Sequence, residues 1–487
     1  MYAALSYCWG SPAESQAQLR TDSEMIEAKL SLEIQEHMLP NVVKDAISAA
    51  RSLDIPYLWV DALCIRQDRT DGGDWEEHVN VMGKIYGNAR VTIGAISSTS
   101  CQEGFLDHQE PELYVHYRST LRPGATGLLR LRLGYFGPGR AYLPSLNDEA
   151  FIINSSLSVW GSRGWTYQEE IMSTRFLGFG KTELLFSCPS SASCLGGYQR
   201  IDKFMPQNGL DWRHKSDFIT WYYIIRGYNA RSLGLTYPTD MFPALAGLAR
   251  TFGEAAGLLD SDYVAGMWKP WLLDSLLWYT KGKYEATNLD YLLRCVASPQ
   301  PYITPTWSWL NSNMKSVEPL LLEWGLPTAA AYERLEAIIV PKGQDAFGEI
   351  TEGRLQVLGK VVWLPVVHLE RVKECFPFTS KPWTMDPGGG HRWHLCLDWA
   401  PLRTEECKGL MMLLMGSLKT KRPDRTTSDT SLAGLLLHKG QPGTGDGRLF
   451  RVGMFYSAPD LDDLDPQPEG SAERFFEGCV DELVEIF

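Results

Sequence analysis

Tyr2-Ala-Ala-Leu-Ser-Tyr-Cys-Trp-Gly10, Tyr57-Leu-Trp-Val-Asp-Ala-Leu-Cys-Ile-Arg-Gln-Asp68 and Ser162-Arg-Gly-Trp-Thr-Tyr-Gln-Glu-Glu170 decide how this chain reads. Each block starts apolar and ends in small or polar residues. That is the pattern of a buried strand, or of the start of a buried helix, that delivers polar side chains at its tip. Residues 3–7 read as a short buried strand ending at the turn cluster Trp9-Gly10-Ser11-Pro12. Asn41 stands where a helix cap belongs, ahead of Val42, Val43, Ala46, Ile47, Ala50 and Leu53 on one helical face. Pro56 ends that helix, and residues 57–60 read as a second strand with Asp61 at its carboxyl end. Trp75, Val79, Met82 and Tyr86 repeat at helical spacing before Gly87-Asn88, and residues 90–96 read as a third strand. Strands alternating with helices predict an α/β domain with a parallel sheet covered on both faces. Ligands of such sheets sit outside the carboxyl ends of the strands. Asp61 and the Trp9-Gly10 turn fall there.

Composition narrows the function classes. The chain has 487 residues, too many for one ordinary core, so two or three domains are expected. A net charge of -13 argues against a broad cationic surface for nucleic acid. Ten cysteines without a repeating framework predict reduced thiols in an intracellular protein. No basic stretch leads into an apolar run at the N-terminus, so no secretory signal is expected. The longest apolar run, residues 409–418, is too short to span a bilayer. The expected location is the cytoplasm, with no membrane and no nucleic acid among the partners.

The three blocks, in this order, resemble the fungal heterokaryon incompatibility (HET) domain, whose blocks read roughly ALSYxWG, LWxDAxCINQ and RGWTxQE. The segment holding Glu77, Val79, Met82, Ile85, Tyr86 and Ala89 is similar to the family's next helix. Residues 239–247, 265–268 and 305–309 are similar to segments that often follow the domain. Cys8 stands where Val or Thr is commoner, and Arg66 where Asn is commoner. Family members usually carry residues ahead of the first block, so Met1 reads as the start of a short or a truncated form. The resemblance implies a flavodoxin-like fold, distantly similar to Toll/interleukin-receptor domains. It also implies a role in non-self recognition and programmed cell death, with protein partners or self-association.

Several members of that wider group cleave the nicotinamide–ribose bond of NAD with one glutamate. Trp165-Thr-Tyr-Gln-Glu169 has the spacing of their Trp-Cys-x-x-Glu segment, with Thr166 in place of Cys. The resemblance makes Glu169 the catalytic candidate. Tyr7, Trp9, Gly10, Asp61, Arg163 and Trp165 become candidate substrate-binding residues, with NAD as substrate and no cofactor or metal. The chemistry is coherent, because nicotinamide leaves neutral from a cation and needs no proton. A carboxylate then stabilises the oxocarbenium-like ribose, as in glycoside hydrolysis.

A structural reading stands beside each assignment. Trp9 and Trp165 suit core or rim packing. Asp61 suits a cap of the following turn, or a pair with Arg66 or Arg163. Gln168 suits a backbone contact at a loop. Glu169 suits a helix-start carboxylate favoured by the helix dipole. Cys64 reads as a small buried hydrophobe. His391, His394 and Cys396 lack an evident fourth metal ligand. The expected organisation is a HET domain over residues 1–195 with an insertion at about 100–150. A helical, aromatic-rich extension over 196–345 and a β-rich region over 346–487 follow. An enzyme and a non-enzymatic interaction or regulatory module that keeps the fold remain the two functional readings.

Overall fold

Ala3, Ala4, Leu5 and Ser6 are completely buried, and no water-facing position interrupts them. They form β1 (Ala3–Ser6), an interior strand of a parallel sheet, whose two covered faces call for a continuous run of small and apolar residues. The computed structural model describes all residues except 24–33, 68–72, 108–112, 123, 132–157, 182–183, 189–190, 195–197, 201–216, 232–234, 281–287, 298–300, 311–316, 321–326, 367–368, 372–382, 386–390, 400, 402, 422–427, 441–446 and 460–472. The chain divides into two compact units: residues 1–216 with 244–256, and residues 217–243 with 257–487.

In the first unit, β1 lies between β2 (Leu58–Trp59) and β3 (Val91–Gly94), parallel to both. A fourth parallel strand, β6 (Phe176–Phe179), pairs with β3. Beyond it, β7 (Leu184–Cys188), β8 (Ser191–Cys194) and β9 (Tyr198–Arg200) add on antiparallel. The sheet is therefore mixed rather than wholly parallel. β4 (Leu113–Arg118) and β5 (Thr126–Leu131) form a separate hairpin within the expected insertion, whose remainder from residue 132 lies outside the described residues. Gly94 is required at its position, because a Cβ there would meet the Phe176 ring at 2.3 Å.

Side chains of β1 alternate between the faces. Ala3, Leu5 and Tyr7 join one core with Val42, Val43, Ala46, Ala49 and Ala50 of α2 (Asn41–Ser52). Ahead of it, α1 (Pro12–Ala17) starts at Ser11, whose side chain and Glu14 make a capping box. Asn41 is not the cap of α2. Pro40 takes the extended cap position, and Asn41, now the first helical residue, sends its side-chain N–H to the Gln102 carbonyl at 2.8 Å. Asp61 likewise opens a helix, α3 (Asp61–Cys64), two residues past the end of β2.

The opposite face carries α4 (Gly73–Asn88) and α5 (Gly164–Met172). Tyr86 of α4 donates to the Leu5 carbonyl, and Ser173, just after α5, bonds Thr92 of β3. A later helix, α6 (Pro243–Ala256), belongs to this unit from Ala244 on. It crosses α4 where two glycines meet: a Cβ on Gly83 would lie 3.3 Å from the Gly247 Cα.

The second unit is built on a ten-stranded, largely antiparallel sheet. Its long strands are Ile350–Trp363, Leu410–Lys421, Ser428–Lys439 and Leu449–Pro459. The apolar run 409–418 is explained by its place, since Leu410–Lys421 is an interior strand with Leu410 to Met415 all buried. Among the described residues, no helix is long and apolar enough to cross a membrane. Trp221 and Trp309 both donate to the Gly266 carbonyl, at 2.9 and 2.7 Å, in an aromatic core that also holds Trp268. Gly266 sits at φ +86°, where a side chain would be strained. Arg451 is fully buried, with Nη1 2.6 Å from Asp398 Oδ2 and its guanidinium 3.3 Å above the Trp278 ring.

Candidate functional site

The polar ends of the three blocks meet at the carboxyl ends of β1 and β2. Glu169 lies in the second turn of α5, on the face turned to the sheet, and is 8% exposed. Ser6, the last residue of β1, donates its hydroxyl to Glu169 Oε2. The indole Nε1 of Trp160 donates to the same Ser6 oxygen at 2.8 Å. Trp160 opens the short turn Trp160–Ser162 that leads into α5, and Thr166 ties helix and turn by donating to the Trp160 carbonyl at 2.7 Å. The Tyr86 hydroxyl also faces the Glu169 carboxyl.

A second carboxylate lies near. Asp61 is partly buried. Its Oδ2 accepts from Trp9 Nε1 at 2.9 Å, and its Oδ1 from the Ala62 N–H at 2.7 Å. The second contact ties Asp61 to the next backbone N–H within α3; the cap position itself belongs to Val60, which makes no side-chain cap bond. The Tyr7 hydroxyl faces Asp61 and also reaches Gln18 Oε1 at 3.1 Å. Gln67 holds the Asp61 and Ile65 carbonyls at 3.0 and 2.9 Å and so fixes the bend after α3. Arg163 donates to the Tyr7 carbonyl at 3.2 Å and approaches the Cys8 thiol.

Electrostatics couple these groups. Burial pushes the Glu169 carboxyl up to about 7. The Ser6 hydroxyl opposes the rise, the Asp61 charge adds to it, and Arg163 and Tyr86 work against it. Burial also raises Asp61, against the hydrogen bonds from Trp9, Ala62 and Tyr7 and the charge of Arg163. The Tyr7 phenol is driven well above its ordinary range by burial and by Asp61. Burial lifts the Cys8 thiol to about 11 despite Arg163, so it is no thiolate nucleophile at neutral pH. Two carboxyls thus share the field of one guanidinium. A carboxyl titrating near 7 is suited to exchange a proton, and once ionised to stabilise a nearby cation.

Of the seven residues singled out in the sequence, five come together here: Tyr7, Trp9, Asp61, Arg163 and Glu169. Gly10 lies exposed on the turn after β1 at φ +87°, where a Cβ would meet Ser100 Cβ at 2.4 Å. Its role is to let that turn form. Trp165 is half-buried on α5, one turn before Glu169. Gln168 does bond backbone, but in a helix rather than a loop: its Oε1 accepts from Gly247 of α6 at 2.7 Å. Ser6, Trp160 and Tyr86 were missed by sequence reasoning. The one available signal was a hydroxyl in an otherwise apolar strand, Ala-Ala-Leu-Ser. Among the cysteines, Cys64 is exposed rather than a buried hydrophobe. His394 stacks on Tyr456 with ring centres 4.8 Å apart, as its strand setting explains.

No curated protein and no solved structure matches this chain. Residues 2–169 match a family model described as heterokaryon incompatibility protein (HET). This part of the chain is therefore a heterokaryon incompatibility (HET) domain that reaches from the first block to Glu169 in the third.

Proposed function

We propose that the chain acts in heterokaryon-incompatibility-type non-self recognition in the cytoplasm of a fungal cell, and that its HET domain cleaves the nicotinamide–ribose bond of NAD through Glu169. Loss of NAD then drives the programmed death that follows incompatible fusion, after contact with a protein partner or another copy. The observation that carries this reading is the convergence of Tyr7, Trp9, Asp61, Arg163 and Glu169 at the strand ends, where open α/β sheets take their ligands. The parallel strand order β2-β1-β3-β6 supports a flavodoxin-like, Toll/interleukin-receptor-like fold, because its first four places follow the order 2-1-3-4. In this reading Glu169 stabilises the ribosyl cation, Asp61 binds a ribose hydroxyl, and Tyr7, Trp9 and Trp165 wall the ring. Arg163 orients the first-strand end and favours the ionised carboxylates.

A second reading has one observation in its favour. The Glu169 carboxyl is buried and already engaged by Ser6, which suits a structural knot in a non-enzymatic interaction module. Nicotinamide release by concentrated purified protein, wild type beside Glu169→Gln, separates the two. Release by the wild type with at least a hundredfold loss in the variant is expected. Equal release from both would assign the activity to another carboxyl, and none from either folded protein would leave the interaction module.

A further inference from the structure

We propose that Ser6 is a positioning residue for the Glu169 carboxylate, and that Trp160 holds it in the donating orientation. An indole N–H can only donate, so Trp160 occupies an acceptor site on the Ser6 oxygen. The single serine proton is then left for Glu169 Oε2, where the hydroxyl donates. Neither Ser6 nor Trp160 is exposed at all, so the direction of the chain is set by the protein alone.

The placement of Ser6 is equally constrained. It sits on an interior strand in register with Gly94, and its carbonyl accepts from the Ala95 N–H at 2.9 Å. Trp160 is braced by the Phe176 ring, 5.6 Å away between centres, and by Thr166 of α5. The carboxylate thus takes its position from the sheet rather than from a loop, which is what a reacting group requires. A donor aimed at the ionised form also favours that form over the neutral acid. The other groups facing Glu169 are Asp61 from α3, Arg163 before α5 and Tyr86 from α4, with Cys8 beyond the end of β1. Ser6 is the hydroxyl among them that donates to the carboxylate, since the Tyr86 proton goes to the Leu5 carbonyl.

The inference rests on the NAD-cleavage reading for its catalytic meaning, but the carboxyl's titration does not. The experiment follows the Glu169 carboxyl by infrared difference spectra against Glu169→Gln in the full chain, with nicotinamide release measured over the same pH range. Ser6→Ala should move the carboxyl midpoint up by about one pH unit. Trp160→Phe, which frees the serine hydroxyl to rotate, should move it in the same direction by less. Release by Ser6→Ala should fall about fivefold at pH 7 and recover at higher pH. An unchanged midpoint in both folded variants overturns the positioning role. If Ser6→Ala does not fold, Trp160→Phe decides alone. A shifted midpoint without release from any of the proteins keeps the positioning role and sinks the hydrolase reading.

Discussion

The Glu169 carboxyl has a consequence for stability that can be measured without any substrate. Its ordinary value is 4.5, and burial first of all lifts it to about 7 in the fold. The folded state therefore favours the protonated form. That contribution is complete below about pH 4.5 and is lost as the pH rises through about 7. The difference amounts to about 3 kcal/mol. Glu169→Gln cannot ionise, so relative to wild type it should gain about that much stability between pH 4.5 and pH 8. Urea unfolding of both proteins across this range checks the sign, and parallel curves would show that the carboxyl is not held near neutral. At this scale part of the site was legible. Asp61, Arg163 and Glu169 stand out as charges within apolar blocks. Ser6 and Trp160 do not, because their roles arise from contacts 163 and 154 residues away along the chain.

Among the elements, α6 carries a prediction that opposes helix propensity. Gly247 lies inside this helix, where alanine would ordinarily be favoured by about 1 kcal/mol. Here an added Cβ would meet Gln168 Oε1 at 2.6 Å and the Gly83 Cα of α4 at 3.2 Å. Gln168 is fully buried and its Oε1 is bound to the Gly247 N–H, so it cannot swing away freely. Gly247→Ala should therefore destabilise the protein by about 2 kcal/mol in chemical denaturation. Gly83→Ala should cost less, because its Cβ would come no nearer than 3.2 Å to the flexible Met172 Cε and 3.3 Å to the Gly247 Cα. A stabilised Gly247→Ala would mean that α6 does not rest on Gln168. The helices α2 and α4 were legible from their 3.6-residue periods. The cap of α2 was misread, because Pro40 preceded the more usual capping residue. Of the antiparallel strands after β6, β7 was legible at residues 184–186, whereas β8 and β9 were not, since runs of three or four residues carry little period.

For the molecule as a whole, a buried polar cluster of the first unit and one of the second are built on different principles. In the first unit, the carboxyls of Glu169 and Asp61 share the charge of Arg163 and are also met by hydroxyl and indole donors. In the second, one cation meets one anion: Arg451 and Asp398 lie on neighbouring strand segments deep in the ten-stranded sheet. The strands around this pair were legible as apolar runs, but the pair was not, because an isolated Arg or Asp in a strand says nothing of its partner across 53 residues. Burial pushes each member toward its neutral form, and their mutual attraction opposes it. Arg451 also donates Nη2 to the Trp278 carbonyl, and its own N–H reaches Thr306 at 3.0 Å, so it joins three chain segments. Removing one member of such a pair strands the other charge. Arg451→Met should cost about 3–5 kcal/mol, whereas Arg451→Met with Asp398→Leu should recover most of that loss. The named partners of Glu169 all belong to the first unit. The infrared midpoint of Glu169 should therefore be the same in folded Arg451→Met as in wild type, while its denaturation midpoint falls. A shifted carboxyl midpoint in that variant would mean that the HET-domain site depends on the β-rich unit.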